Sequence, residues 1–523
     1  MRRAFTGGRI LTQDPTTPAA DAVVVDDGRI VAVGDRALAD QPDTEVVDLA
    51  GATRVPGLID AHNHLSVSAL HPHWHDVTGV GDRETLVAAI AAQAAAWPDT
   101  TWVRCQGLDL MGPGRGITRD DLDAAGLDRP VIAADYTLHQ CVVSSAGLDA
   151  LGIGRSTADP PGGEIARDGD GEPTGMLIER AWSEAHARSM RDFSDPDRWA
   201  EHVGARSRAL LTEGITCVHD AACSPEAEAL YGAMARSGTL PIDVIGMPHP
   251  AALLMNEHTA RLDGPPTGEG DDRFRVGAMK LFADGGVAIA LDASVGGRPF
   301  RLGMLFGDLD EHATRATDRG FRIAVHAMGN AGVQAMIDTA AGIARRAPGA
   351  DHRFRVEHAG VTSPEQWTAL ADLGAVAVVQ PGFVEHVGTN TSGIRFDHHH
   401  WLAFAGLAEA GVRLAGSSDD PCAPSAPLWG ADLGVLRRTA AGKDFEPEQS
   451  VPFLDWLEAY TTGAAYAGGQ EAERGSITAG KLADLVVLSQ DILAVPDEAL
   501  LATEVVATIV DGKLLYAKAG SGF

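Results

Sequence analysis

Between residues 275 and 419 five short apolar runs follow one another: "RVGAMKLFADGG", "GFRIAVHAMGN", "HRFRVEHAG", "GAVAVVQPG" and "GVRLAGSSDDP". Helical stretches such as "AGVQAMIDTAAGIARRA" and "SPEQWTALADLG" lie between them. Each run ends in a side chain that can bind a metal or hydrogen-bond a ligand, namely Lys280, His326, His358, Gln380 and Asp419. Their spacings of 46, 32, 22 and 39 residues suit successive strand–helix units, and such alternation argues a parallel sheet, either barrel or doubly wound. Polar groups gathered at C-terminal strand ends point to a TIM-type (β/α)8 barrel. No GxGxxG follows the first of these strands, so a dinucleotide fold has no support.

The barrel is predicted to open with "RVPGLIDAHNHL", where His62 and His64 stand at i and i+2. On a strand such residues face the same side, so both rings can chelate one ion. An isolated HxH is weak evidence, but this one ends a buried-strand run. From His64 to Lys280 is 216 residues, too many for two strands and their helices. Those strands are expected at "PVIAADYTLH" and "GITCVHDA", and the excess, including "PPGGEIARDGDGEPTG", as an insertion within about residues 65–200 carrying its own hairpin. The two ends of the chain look alike. "RAFTGGRILT" and "AVVVDDGRIVAVG" at the start match "GKLADLVVLSQD" and "EVVATIVDGKLLYA" at the end in β-rich style with Asp-Gly turns. We therefore expect one small β domain built from residues 1–56 and 470–523 around a barrel of residues 57–469, the alternative being two unrelated terminal hairpins on the barrel.

Lys280 is the only lysine in the first 442 residues, where every other cationic side chain of that kind is arginine. Coding bias explains this as well as chemistry does until the neighbours are read. The chemical reading is that a buried lysine, unlike arginine, can become a neutral nucleophilic amine. The formal charge of −30 disfavours nucleic acid and anionic membrane surfaces as partners, and no apolar run is long enough for a membrane span. Five cysteines with no CxxC pair, and an N-terminus without an apolar leader core, suggest the cytoplasm.

The pieces "PGLIDAHNHL", "LDRPVIAADYTLH", "PPGGEIARDGDGEPTG", "MKLFADGG", "VHAMGN", "VEHAG", "SSDDP" and "YTTGAAYAGGQEAERGSITAGKLADLVVLSQD" cover nearly the whole chain. Together they resemble the YtcJ-like branch of the amidohydrolase superfamily, which includes N-substituted formamide deformylases. The resemblance implies a (β/α) barrel with a metal centre and a small β-sandwich domain formed by both termini. By that analogy His62, His64 and Asp419 hold one divalent ion, and His326 and His358 another, zinc being the first candidate. Lys280, carboxylated by carbon dioxide, and a hydroxide would bridge them. Asp419 would accept the hydroxide's proton and pass it to the leaving nitrogen. In "SSDDP" a slip of one would give that role to Asp420.

Further residues are expected around the substrate. His139 is either a partner for the carbonyl or oxyanion or a buried structural histidine. Gln380 binds substrate or orients a ligand, and His219 and Asp220 are candidates for the surroundings of the metal ligands. Asp109 falls where relatives often carry a Trp-Asp pair, with Leu108 here in place of the aromatic. The clusters "HPHWH" and "FDHHHW" are read as pocket or surface histidines, because the six-ligand set is complete without them. The expected function is metal-dependent hydrolysis of a carbon–nitrogen bond in a small molecule: an amide, N-formyl or N-acyl amine. Rivals are a deaminase with one metal, an esterase or lactonase, and a catalytically silent scaffold. A homodimer is a family-level expectation.

Overall fold

The computed structural model describes residues 2–48, 53–250, 259–495 and 497–521. Eight parallel strands form a barrel. They are β1 (Leu58–Asn63), β2 (Ile215–Cys223), β3 (Asp243–Pro248), β4 (Phe274–Val276 with Met279–Phe282), β5 (Ile323–Ala327), β6 (Arg355–His358), β7 (Val376–Val379) and β8 (Arg413–Gly416). The first half of β4 pairs with β3 and the second half with β5, so β4 joins two hydrogen-bonded sheets. The break falls at Gly277, where a Cβ would come within 2.6 Å of the Ile245 side chain. Strands such as β7, "VAVV", are buried throughout, as expected where helices cover a parallel sheet.

Closure between β8 and β1 is made just beyond the strand ends. The Asp419 N–H donates to the His62 carbonyl (2.8 Å), and the His64 N–H to the Asp420 carbonyl (2.9 Å). Buried Asp60 strengthens the seam by accepting the Ser418 N–H (3.0 Å) and hydroxyl (2.5 Å).

The terminal strands form two further sheets. One holds Arg2–Thr6, Ala22–Asp26, Arg29–Gly34 and Thr44–Asp48. The other mixes the two ends of the chain, with Arg54–Pro56 paired to Leu485–Leu488. Phe5, Val23, Leu485 and Ile509 pack in one core between them. Both Asp-Gly turns, at Asp27-Gly28 and Asp511-Gly512, have positive φ at both residues, the type I′ geometry that suits two-residue hairpins.

A six-stranded sheet drawn from residues 75–179 lies between β1 and β2, and its outer hairpin pairs Gly163–Arg167 with Pro173–Glu179. This corrects one expectation. "PVIAADYTLH" is not a barrel strand: Val131–Asp135 pairs with Val103–Leu108 and Gln140–Val143 inside the inserted sheet. The barrel place belongs to β3, "DVIGMP", whose apolar run is shortened by Gly246 and Pro248. Both runs are buried and parallel-paired, so apolar content alone does not separate them. No helix among the described residues is long and apolar enough to cross a membrane.

Candidate active site

β1 presents His62, and His64 follows one residue past its end, so both rings reach the barrel mouth. His62 Nδ1 lies 2.5 Å from Glu357 Oε2, and His64 Nδ1 lies 2.9 Å from the Ala221 carbonyl. Both partners only accept, so each Nδ1 donates, and each Nε2 is left facing Asp419. These two Nε2 atoms lie 3.4 and 3.0 Å from Asp419 Oδ1. Two ring nitrogens and a carboxylate oxygen therefore converge, the donor set that a divalent cation takes. His62 Nε2 and Asp419 Oδ1 are buried without a hydrogen-bond partner, and the three ligand atoms lie within 4.8 Å of one another. Burial alone would raise the Asp419 carboxyl, but His64, His62 and His358 hold it well below the usual carboxylate range.

Lys280, 1% exposed, enters the same cavity from β4 with Nζ 4.9 Å over the Phe282 ring. Burial brings its pKa down to about 8. About one molecule in ten then carries a neutral amine at pH 7, against about one in a few thousand for an ordinary lysine. The His326 and His358 rings lie 4.5 Å apart, and His358 is 4.8 Å from His62. Burial, aided by the Lys280 charge, lowers His62 to about 4 and His358 to about 3, and puts His326 well below its usual value. All three are thus neutral near pH 7, the form that ligates metal. His326 Nε2 is a third orphaned atom. His358 (φ +75°) and Asp419 (φ +63°) adopt left-handed backbone, a strain of about 1–3 kcal/mol each that clusters at functional sites.

A buried polar layer holds these side chains. Glu357, facing His62, is gripped by Arg355 at 2.8 and 3.2 Å, and Arg355 also donates to the Ala61 carbonyl (2.7 Å). Its remaining guanidinium nitrogen lies 3.1 Å from His219 Nδ1. Gln380 Oε1 lies 2.9 Å from His358 Nδ1, so Gln380 faces a candidate ligand. Asp284 accepts the N–H groups of Ala290, Met328 and Gly329, tying the loop after β4 to that after β5. Neither Gln380 nor His219 lies on the cavity wall. Asp220 accepts from Tyr231 (2.8 Å). Asp419 rather than Asp420 faces the histidines, since Asp420 turns to Arg206 at 3.0 Å.

His139 reaches the cavity from the inserted sheet. Its Nδ1 lies 2.7 Å from Glu179 Oε2, and Glu179 also accepts the N–H groups of Val287 (2.9 Å) and Ala288 (2.8 Å). Burial opposes charge on the His139 ring, yet Glu179 raises its pKa overall. The glycines of "ADGG" are the seat for this pair. A Cβ on Gly285 would fall 2.2 Å from the Glu179 carboxylate, and one on Gly286 2.4 Å from the His139 ring. The cavity facing these groups measures about 230 Å³.

Asp109 lies outside it and caps a turn by accepting the N–H groups of Met111 and Gly112. In "HPHWH", His73 pairs with His202 at 2.8 Å. In "FDHHHW", His399 meets Asn330 at 3.0 Å and His400 meets Glu446 at 3.1 Å. With Glu448, the last pair forms a second group whose ligand atoms lie within 4.8 Å of one another. Glu357, Glu179, Asp60 and Asp284 were not singled out in the sequence. For Glu357 and Asp60 a signal existed, a carboxylate inside an otherwise apolar strand run.

A parallel barrel with a buried His, His, Asp ligand set at its C-terminal mouth defines a metal-dependent hydrolase. The chain belongs to the amidohydrolase family, whose model matches residues 45–516, and with the site this makes it a hydrolase of carbon–nitrogen bonds. It is 33% identical over 541 residues to the N-substituted formamide deformylase of Arthrobacter pascens, covering 98% of each chain. It is 28% identical over 549 residues to the putative amidohydrolase YtcJ of Bacillus subtilis, covering 99% of this chain and 100% of that one. Among solved structures, an uncharacterized metal-dependent hydrolase from Pyrococcus horikoshii shares the fold. The TM-score is 0.74 at 21% identity, over 95% of this chain and 99% of that one.

Proposed function

We propose that this protein hydrolyses an amide of the N-formyl or N-acyl amine type with two divalent ions, zinc being the best match to nitrogen and oxygen ligands. The carrying observation is the set of buried, unpartnered ligand atoms on His62, His326 and Asp419 around one cavity into which Lys280 extends. His62, His64 and Asp419 would hold one ion, His326 and His358 the other, and Lys280, carboxylated, would serve both. Bound ions supply an acidified water and a Lewis acid for the carbonyl. Asp419, held ionised, takes the proton of the attacking water and delivers it to the departing nitrogen as the C–O bond forms and the C–N bond breaks. His139, fixed by Glu179, donates to the carbonyl oxygen as negative charge grows there. Similarity to a formamide deformylase supports an amide substrate. Five buried, unpaired cysteines favour the cytoplasm.

Metal-loaded protein is expected to turn over members of a panel of N-formyl and N-acyl amines, read by product mass, and to lose that activity on chelation. Turnover of aminated heterocycles alone, or of no C–N bond at all, would refute the reading. Glu357→Gln keeps the side-chain shape but weakens the hold on the His62 N–H. Metal affinity is expected to drop about 10- to 100-fold, measured by competition with a metal buffer.

A further inference from the structure

Arg104 is fully buried on the strand Val103–Leu108 of the inserted sheet. Its guanidinium donates to the Ser189 hydroxyl (2.7 Å), the Gln106 side-chain carbonyl (2.7 Å) and His186 Nδ1 (3.2 Å). All three acceptors are neutral, since burial holds the His186 ring uncharged. Buried Arg355 and Arg474 pair with Glu357 and Asp243, but among the described residues no carboxylate offsets Arg104. Buried Arg54 and Arg437 give their nitrogens to backbone carbonyls, and Asp48 and Glu446 favour their charge. Burial pulls Arg104 down to about 9, opposed only by the thiols of Cys141 and Cys105. Burial keeps those thiols protonated, with Cys105 pushed up to about 12. The groups around Arg104 are donors too. Its own Nε–H has no acceptor. Trp74 lies 4.1 Å from the guanidinium, and its Nε1–H, which can only donate, is also unpartnered. Arginine only donates, so His186 Nδ1 accepts and His186 Nε2 carries the proton, again without a partner. Ser183 Oγ, one turn before His186 on the helix Ser183–Met190, is a fourth such atom. None of these four side chains belongs to a residue more than 7% exposed.

We propose that Arg104, Trp74, His186 and Ser183 bind one small monovalent anion, a halide or a carboxylate no larger than formate. One guanidinium sets the charge, and enclosure among buried side chains sets the size. A buried cation without a counter-charge is costly, and the contact with the Trp74 ring offsets only part of that. An anion accepts from every side, whereas a water would need acceptors for its own protons among groups that mostly donate. The site joins three parts of the chain. Trp74 stands ten residues after His64, Arg104 lies on the inserted sheet, and His186 lies on the helix preceded by Trp182, which lines the catalytic cavity. The anion thereby pins the insertion to the barrel beside that cavity.

The test starts from the full chain dialysed into gluconate, an anion too large for the site, and adds chloride, bromide or formate at constant ionic strength. The unfolding midpoint is expected to rise by about 3 °C or more and to saturate, as binding at one site requires. A crystal soaked in bromide should show an anomalous peak against Arg104, Trp74 and His186. Trp74→Phe keeps the ring but removes its donor, and should weaken chloride affinity about tenfold. Arg104→Met should lose both the saturable response and the peak. If that variant does not fold, Trp74→Phe and the wild-type crystal decide. A larger response to formate than to chloride assigns the site to a small carboxylate, the reverse to a halide, and either sustains the proposal. Neither bromide nor formate at Arg104 in the soaked crystals, a midpoint that never saturates, or a response unchanged in Arg104→Met would overturn it.

Discussion

Asp419→Asn is expected to lower kcat by about a thousand- to ten-thousandfold. Asparagine preserves shape, but its amide cannot take the proton of the attacking water or return it to nitrogen. It also removes the anion from the His62, His64 and Asp419 donor set, so metal affinity there should fall with kcat. Asp420→Asn provides the internal comparison. Asp420 is committed to Arg206, so its loss should cost less than about tenfold. Steady-state kinetics on both variants decide between them. A large loss in Asp420→Asn with a small one in Asp419→Asn would reverse the assignment made here.

Lys280→Ala is expected to abolish carboxylation and to lower activity by about a thousandfold or more, because the ion-based stabilisation of the reacting carbonyl is worth several kcal/mol. Only a neutral amine can take up carbon dioxide. With the Lys280 pKa near 8, reconstitution of metal-free protein with metal and bicarbonate should accelerate from about pH 6 through pH 8 and level off above about pH 9. The sign is fixed by burial: it destabilises the ammonium form, so raising the pH through 8 exposes the reactive amine. Lys280→Ala should show no bicarbonate dependence in a stopped metal-uptake assay.

Much of the candidate site was legible because strand geometry turns sequence spacing into direction. HxH at the end of an apolar run puts two rings on one face, and a lone histidine after "AVV"-like runs, as at His326 and His358, marks a strand end. The supporting carboxylates were less visible for a physical reason. Glu357 and Asp60 serve partners hundreds of residues away in the chain, so only the burial cost of a charge in a core strand hinted at them. Glu179 carried no local signal at all. Its role arises from a hairpin that folds against His139 and from two glycines on the other side of the cavity. The barrel order failed at one place, where "PVIAADYTLH" looked more strand-like than "DVIGMP". Apolar content reports burial, not which of two buried sheets a strand joins. The composite terminal sheets were readable from their Asp-Gly turns because type I′ hairpins demand those residues.

The central claim is that Lys280, as a carboxylated side chain, completes a two-ion site with His62, His64, His326, His358 and Asp419. Elemental analysis of purified wild type beside Lys280→Ala tests it most directly. Close to two divalent ions per chain in the wild type, falling to one or fewer in the variant with the fold intact by circular dichroism, is the predicted result. One ion per chain in both proteins would contradict the claim and bring a single-metal deaminase to the front.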